Sequence, residues 1–173
     1  MIITKDHIDK SFAIGDIVIK NDSKIKCVNS TSFTLNKRLL KVNSISPDYE
    51  SSTEEIILSE SGTVLLPGEL YLGMTNEKII NREHAMMING NKSLGSLGCF
   101  VHISAPLAHV GSSIRWTLEI YVTQPLRIYP DMEFGKIIYL ETKGDKHTYS
   151  SNYGKTAKYQ VDDVTTSKFK RYL

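Results

Sequence analysis

Apolar and polar positions in this chain alternate most clearly between residues 115 and 123, with the two-residue period of a β-strand. One face of that strand carries Trp116, Leu118, Ile120 and Val122. Successive side chains of a strand point to opposite faces, so these four residues are expected to pack in a core. The opposite face, which carries Glu119, is expected to meet solvent, a pocket or an interface.

Short β-like runs recur along the rest of the chain, punctuated by Gly, Pro, Asn, Asp and Ser. They cover residues 17–19, 25–28, 32–35, 39–42, 55–58, 63–66, 69–74, 100–103, 114–122, 126–129 and 134–140. This pattern predicts an all-β fold of the barrel or sandwich type. The polar stretch 44–53 is expected to form an exposed loop or insertion.

One short helix is predicted near the start of the chain. Thr4 stands at the capping position, Asp6 lies in the first turn, and Ile8 and Phe12 share a face at i, i+4 spacing. Beyond this segment the helical period disappears, which leaves the fold mainly β with one or two short helices.

The overall composition is that of an ordinary globular protein. The 173 residues suit one domain at 1–141 followed by an arm or tail at 142–173. The 21 basic and 19 acidic side chains give a formal charge of +2, which is too small to indicate nucleic acid or a membrane surface as a partner. The early charges of the N-terminus argue against a secretory signal, so we expect a cytoplasmic protein.

The tail and the two cysteines leave alternatives open. Residues 142–173 are poor in aliphatic side chains but carry regularly placed aromatics, which fits either a packing arm or a disordered end. Cys27 and Cys99 are far apart in sequence, and they are either two buried thiols or one disulfide. They also lack the C-x-x-C spacing of a zinc site, so no zinc is expected.

A series of short motifs follows one another in order along the chain. It begins with Met1-Ile2-Ile3-Thr4-Lys5-Asp6-His7-Ile8 and continues through Ser32-Phe33-Thr34-Leu35, Leu66-Pro67-Gly68-Glu69, Thr75-Asn76-Glu77, the loop 90–98, Trp116-Thr117-Leu118-Glu119 and the hairpin 129–136, ending at Tyr153-Gly154 and Lys158-Tyr159-Gln160. Together they resemble the dCTP deaminase/dUTPase superfamily over nearly the whole length.

That resemblance implies a distorted β-barrel assembled as a homotrimer, with active sites between subunits that bind a deoxynucleotide triphosphate with Mg²⁺. Glu119 stands where the family carries its catalytic glutamate, the general base that activates water in a metal-free deamination. The remaining residues that match nucleotide-binding or phosphate-binding positions are Lys92, Ser93, Ser96, Tyr153, Lys158, Tyr159 and Gln160.

Several positions depart from the family pattern. In the loop, Asn91 and Ser96 replace two arginines, and Lys92 replaces a serine that helps to place the attacking water. Lys92 would offer a phosphate a point charge without the bidentate fork of arginine. Elsewhere the departures are Thr34 for an aspartate, Lys136 for a glutamine, Asp162 for a second nucleotide-contacting glutamine, and His109, either a new acid–base group or a loop residue without a role.

Two hypotheses from different classes therefore stand at the level of sequence. The first is a divergent dCTP deaminase that converts dCTP to dUTP with weakened or lost activity; the dUTPase activity of the superfamily is less well supported, because its Arg-Ser-Gly loop is not intact. The second is a catalytically silent trimer that binds a nucleotide or serves as a regulatory or structural protein.

Overall fold

The computed structural model describes residues 1–20, 28–45 and 51–145. The predicted nucleotide-binding residues of the tail, Tyr153, Lys158, Tyr159 and Gln160, lie outside the described residues, as does Cys27. The predicted strand at 25–28 and the predicted arm at 142–173 lie largely outside them too, so the domain boundary stays a prediction.

The described part of the chain is mostly β-structure with two short helices, as predicted. The helices are α1 (Lys5–Ala13) and α2 (Lys92–Ser96). The strands are β1 (Ile17–Lys20), β2 (Thr31–Thr34), β3 (Arg38–Ile45), β4 (Ser51–Ile57), β5 (Thr63–Leu65), β6 (Leu70–Met74), β7 (Lys78–Asn81), β8 (Ala85–Gly90), β9 (Cys99–Phe100), β10 (Leu107–Ala108), β11 (Ser113–Ile114), β12 (Thr117–Val122), β13 (Leu126–Ile128) and β14 (Glu133–Leu140). None of the described helices is long and apolar enough to cross a membrane.

The strands form a series of small, antiparallel sheets. Their orders are β1-β7-β11, β10-β8-β14-β2, β4-β3-β6-β12-β9 and β13-β5. Strands that are distant in sequence pair side by side, so hydrophobic side chains from Ile3 to Tyr139 meet in one interior. Over residues 1–20, 28–45 and 51–145, no sheet closes on itself into a barrel.

The core follows the alternation seen in the sequence. Leu118, Ile120 and Val122 are fully buried, while Thr117, Glu119 and the other residues of the opposite face of β12 are half-buried. The largest buried side chains, Tyr139, Phe33 and Phe134, come from the paired strands β14 and β2 and their turn. The prediction of a packed face is therefore confirmed, and the opposite face is partly open, so that solvent, a pocket or an interface stays a prediction for it.

Gly135 allows three strands to approach closely where the candidate site begins. A Cβ atom at Gly135 would stand 2.2 Å from the carbonyl oxygen of Asn89 and 2.5 Å from the ring of Phe33. Strand β14 thus lies tightly between β8 and β2. The backbone N–H of Asn91, at the end of β8, donates to Phe134 O at 3.0 Å. The loop that follows β8 is thereby fixed to β14.

Some elements differ from the sequence-based expectation. Strands β7, β8 and β10 were not predicted, and residues 101–103 bend away after the short strand β9. Much of the predicted loop 44–53 instead extends β3 and begins β4, because the polar hydroxyls of Ser44 and Ser52 bond each other across the hairpin at 2.8 Å. Thr4 occupies the N-cap of α1 as expected, but its side chain makes no capping hydrogen bond.

Candidate functional site

Strand β12 presents Glu119 on a sheet face that is partly open to solvent. In the sheet, Glu119 is opposite Leu72 of β6, and Tyr121 is opposite Phe100 of β9. The Glu119 side chain is 27% exposed, so water or a ligand can reach a carboxylate that is otherwise held by the fold. That partial exposure leaves solvent, a pocket or an interface as the surroundings expected for this face.

The bend that follows β9 holds the Glu119 carboxylate. Backbone N–H groups of Ile103 and Ser104 both donate to Oε2 at 2.9 Å. The Ser104 hydroxyl lies 3.0 Å from Oε1 and 3.2 Å from Oε2. Oε2 therefore carries two backbone donors, whereas Oε1 receives the serine hydroxyl alone among the described residues. Oε1 is the oxygen that retains the capacity to accept a further proton donor.

The same contacts determine the protonation state of Glu119. Partial burial opposes the charged form, but the hydrogen bonds from Ile103 and Ser104 and the nearby His102 ring favour it. The net effect lowers the pKa of Glu119 below its ordinary value. The carboxylate is consequently ionised at neutral pH and chemically suited to accept a proton.

The small-residue loop after β8 folds as the short helix α2. Asn91 caps it, because its side-chain Oδ1 accepts the backbone N–H of Ser93 at 2.9 Å. The Ser96 hydroxyl turns back to donate to the carbonyl of Lys92 at 3.0 Å. Leu94 is buried and anchors the turn in the core. Asn91 and Ser96, two residues that depart from the family pattern, thus form side-chain hydrogen bonds with the backbone of their own loop.

Lys92 and Ser93 are the predicted phosphate ligands that face outward from this turn. Both are exposed, and Ser96 is exposed as well. The turn is joined to the Glu119 strand through β9, because Gly98 O accepts the backbone N–H of Thr123 at 2.9 Å and Cys99 pairs with Val122. No hydrogen bond or ion pair links Glu119 to these three loop residues in the described part of the chain.

Sequence reasoning did not identify the groups that hold Glu119. His102 and Ile103 belong to the segment 100–103 that was predicted to be strand, and Ser104 follows it. The donors arise because the chain bends there instead. Only the position of a hydroxyl residue shortly before the predicted catalytic strand could have suggested Ser104. His109, the other candidate acid–base residue, is exposed in the turn before β11, where its carbonyl accepts the Ser112 N–H at 3.3 Å.

A second carboxylate, Glu77, is buried in the connection between β6 and β7. Its side chain accepts the backbone N–H of Thr34 at 2.9 Å and the Thr34 hydroxyl at 2.7 Å. Burial raises the pKa of Glu77, although these bonds and the charge of Arg115 act in the opposite direction. Thr34, the residue that replaces the family's aspartate, is therefore a partner of an interior carboxylate.

No group of three His, Cys, Asp or Glu side chains that could hold a metal occurs in residues 1–20, 28–45 and 51–145. Cys99, the described cysteine, is a buried thiol without a disulfide. Burial raises the pKa of Cys99 to about 11, so this thiol is neutral and unreactive at physiological pH.

Comparison with known proteins gives a consistent result. Residues 2–142 match the family model described as dCTP deaminase-like. The chain is 38% identical over 139 residues to "dCTP deaminase, dUMP-forming" of Clostridium botulinum (strain Alaska E43 / Type E3), which covers 79% of this chain and 80% of the relative. It is 34% identical over 164 residues to the protein of the same name from Leptospira biflexa, covering 94% of this chain and 91% of the relative.

A solved structure supports the fold. The chain resembles the crystal structure of 2'-deoxycytidine 5'-triphosphate deaminase from Agrobacterium tumefaciens with a TM-score of 0.64 and 18% sequence identity. The match covers 91% of this chain and 53% of that one, so this chain spans about half the length of the solved protein. The family model matches residues 2–142, and the Clostridium botulinum relative is 38% identical over 79% of this chain. This chain therefore belongs to the dCTP deaminase-like family.

Proposed function

We propose that this protein is a divergent deoxycytidine nucleotide deaminase that converts dCTP to dUTP with Glu119 as the general base. The observation that carries the proposal is the Glu119 carboxylate itself. It is ionised, partly accessible, and held through Oε2 by two backbone donors. Oε1 is left to accept a proton from water, as a metal-free hydrolytic deamination requires.

The proposed reaction balances without a redox partner. Water attacks C4 of the cytosine ring, and its proton passes to Glu119 Oε1. Glu119 delivers that proton to N3, and the remaining proton of the new C4 hydroxyl then passes through Glu119 to the amino group. The C4–N bond breaks, ammonia leaves, and a carbonyl remains at C4 beside a protonated N3. The relatives are named dUMP-forming, so a second hydrolysis that releases pyrophosphate belongs to the same proposal.

We propose that Lys92 and Ser93 contact the phosphates, since both face outward from the turn α2. Ser96 and the tail residues Tyr153, Lys158, Tyr159 and Gln160 complete the proposed nucleotide-binding set. Mg²⁺ is proposed to arrive as a complex with the triphosphate. Over residues 1–20, 28–45 and 51–145, no group of three His, Cys, Asp or Glu side chains offers Mg²⁺ a site of its own.

A homotrimer built on a distorted barrel is part of the proposal. The face of the sheet that carries Glu119 also carries Leu40, Leu72 and Met74, a small apolar cluster separate from the main core. Two exposed apolar residues lie beside the same face, Phe100 opposite Tyr121 and Ile103 next to Glu119. Apolar patches of this kind mark protein interfaces. Light scattering should give about three times the 19.5 kDa chain mass.

A silent nucleotide-binding or regulatory protein on the same fold is the second candidate. The observation that favours it is the loop, where Asn91 and Ser96 bond to their own backbone and no arginine stands. Preorganised donors at such a site typically contribute about 3 kcal/mol each to the transition state. The loss of two would slow the reaction by about four to five orders of magnitude.

One assay separates the two candidates. The protein is incubated with dCTP or dUTP and Mg²⁺, while ammonia and pyrophosphate are followed, with Glu119→Gln as the matched variant. Ammonia release that disappears in Glu119→Gln supports the deaminase. A nucleotide-induced rise in melting temperature without any ammonia supports the silent binding protein, and an absence of both contradicts the two together.

A further inference from the structure

His102 carries a buried imidazole ring next to the candidate base. Its side chain is 9% exposed, and neither Nδ1 nor Nε2 has a hydrogen-bond partner among the described residues. Nδ1 lies 4.0 Å from Oε2 of Glu119. Buried polar atoms are nearly always paired, so an imidazole in this position is better explained by a task than by packing.

The surroundings of the ring restrict what that task can be. The ring stands edge-on to Trp116, with centroids 6.4 Å apart and an interplanar angle of 85°. Trp116 is neutral, and Glu119 is the charged group within ion-pair distance of the ring in the described part of the chain. His102 therefore has one electrostatic partner, the carboxylate of Glu119.

His102 also immediately precedes the two backbone donors that hold Glu119. Because its ring is packed against Trp116, the bend at Ile103 and Ser104 is fixed from one side. The ring and the two N–H groups all approach Oε2.

We propose that His102 is a positioning residue that acts through Glu119, holding Oε2 electrostatically so that Oε1 stays directed at the attacking water. This inference rests on the proposed function for the reaction that Glu119 serves, whereas the contact between His102 and Glu119 is independent of that reaction. A separation of 4.0 Å is longer than a hydrogen bond, and such contacts commonly shorten when the substrate binds. The charge of His102 also contributes to the lowered pKa of Glu119.

Two substitutions separate this role from simple packing. His102→Phe keeps an aromatic ring against Trp116 but removes Nδ1, whereas His102→Asn places an amide nitrogen close to the position of Nδ1. We expect kcat for dCTP to fall at least about ten-fold in His102→Phe with KM nearly unchanged, and to recover in part in His102→Asn. The acid limb of the kcat profile should also move to higher pH in His102→Phe, because Glu119 loses a favourable charge. Wild-type kcat and an unmoved acid limb in His102→Phe would overturn the proposal.

A measurement without nucleotide tests the pair independently of any activity. A double-mutant cycle combines His102→Phe with Glu119→Gln and measures the free energy of unfolding at about pH 8 and about pH 5.5. We expect coupling between the two positions, because each single substitution removes the same contact between the ring and the carboxylate. The control cycle pairs His102→Phe with Glu55→Gln, a carboxylate on β4 that bonds Arg38, and should be additive at both values.

The outcomes are distinguishable. Coupling to Glu119 alone, in a protein that makes ammonia, supports both the proposed function and the role of His102. Coupling to Glu119 without ammonia release overturns the deaminase and leaves the electrostatic pair standing. Additive behaviour at both pH values, or equal coupling to Glu55, overturns the role of His102 whatever the activity.

Discussion

Thr34 donates its backbone N–H and its hydroxyl to the two carboxylate oxygens of the buried Glu77, at 2.9 and 2.7 Å. Asn76 in turn donates to the Thr34 hydroxyl oxygen at 3.0 Å. The aspartate that the family pattern has at this position would set one carboxylate against another in an interior where Glu77 is 2% exposed. Threonine and Glu77 are therefore a matched pair in this chain.

The first prediction concerns the pH dependence of that pair. Thr34→Val should destabilise the fold by about 1–3 kcal/mol at neutral pH, because Glu77 loses a donor while remaining buried. Burial raises the pKa of Glu77 in the folded protein above its value in the unfolded chain. The loss of folding free energy caused by its charge is therefore absent below the unfolded-state pKa, and it grows as the pH rises through the folded-state pKa. The deficit of Thr34→Val should consequently shrink on acidification. Denaturant unfolding at a series of pH values checks this.

Thr34→Ser and Thr34→Asp are the matched variants for this prediction. Thr34→Ser keeps both donors and should remain close to the wild type in stability. Thr34→Asp should be less stable than Thr34→Val at neutral pH and recover most of the loss in acid, since one of the two carboxyls is then protonated. A Thr34→Asp variant as stable as the wild type at neutral pH would contradict the account.

The second prediction tests the close approach of strands at Gly135. A Cβ there would stand 2.2 Å from the backbone oxygen of Asn89, an atom that cannot move aside without breaking the β8–β14 pairing. Gly135→Ala should cost about 3 kcal/mol or more. Gly95→Ala is the control, because a Cβ at Gly95 meets no atom within 4 Å and lies in helix α2. Its melting temperature should equal or exceed that of the wild type, and similar losses in both variants would refute the steric explanation.

The elements that could be predicted from sequence are those with a regular period. Strand β12 alternates strictly, so its core face and the placement of Glu119 followed from the spacing alone. Strand β8, with the sequence Ala-Met-Met-Ile-Asn-Gly, has few β-branched residues and no polar alternation, and it forms because β14 and β10 pair with it. Its propensity is overridden by tertiary contacts.

The candidate site was predictable only as far as its charged group. The face that carries Glu119 followed from the alternation, and its proposed role as base followed from the family resemblance. Its donors could not, because Ile103 and Ser104 reach Glu119 through a bend whose backbone N–H groups carry no sequence signature. The loop was predicted as a phosphate-binding turn, and the structure adds that Asn91 is its helix cap. The hydrogen bonds of Asn91 and Ser96 to the loop backbone depend on the conformation of the loop, which the spacing of residues in the sequence does not reveal.

The third prediction concerns the phosphate role of Lys92. Lys92→Gln removes an exposed cation from α2 and should weaken dCTP binding about ten-fold, as the loss of one charge-assisted contact implies. Deoxycytidine, which lacks phosphates, should bind both proteins alike. The difference for dCTP should diminish at high salt because exposed charges are screened. Calorimetry with both ligands checks this, with Lys37→Gln as a control at an exposed lysine before β3. Equal dCTP affinity in Lys92→Gln and the wild type would place the phosphates elsewhere.

The fourth prediction is a gain of activity in the loop. Ser96 is exposed, and among the residues that the structure describes its hydroxyl bonds only the loop carbonyl of Lys92. Ser96→Arg should therefore fold normally and return a guanidinium to the position where the family pattern has one. If Glu119 is a working base, kcat for dCTP should rise at least about ten-fold, since one preorganised donor commonly contributes more than that to the transition state. Ser61→Arg, on the turn before β5, controls for added charge and should leave kcat unchanged.

The gain should vanish when Glu119→Gln is combined with Ser96→Arg. A folded Ser96→Arg protein that binds dCTP yet releases no more ammonia than the wild type would contradict the deaminase and favour the silent binding protein.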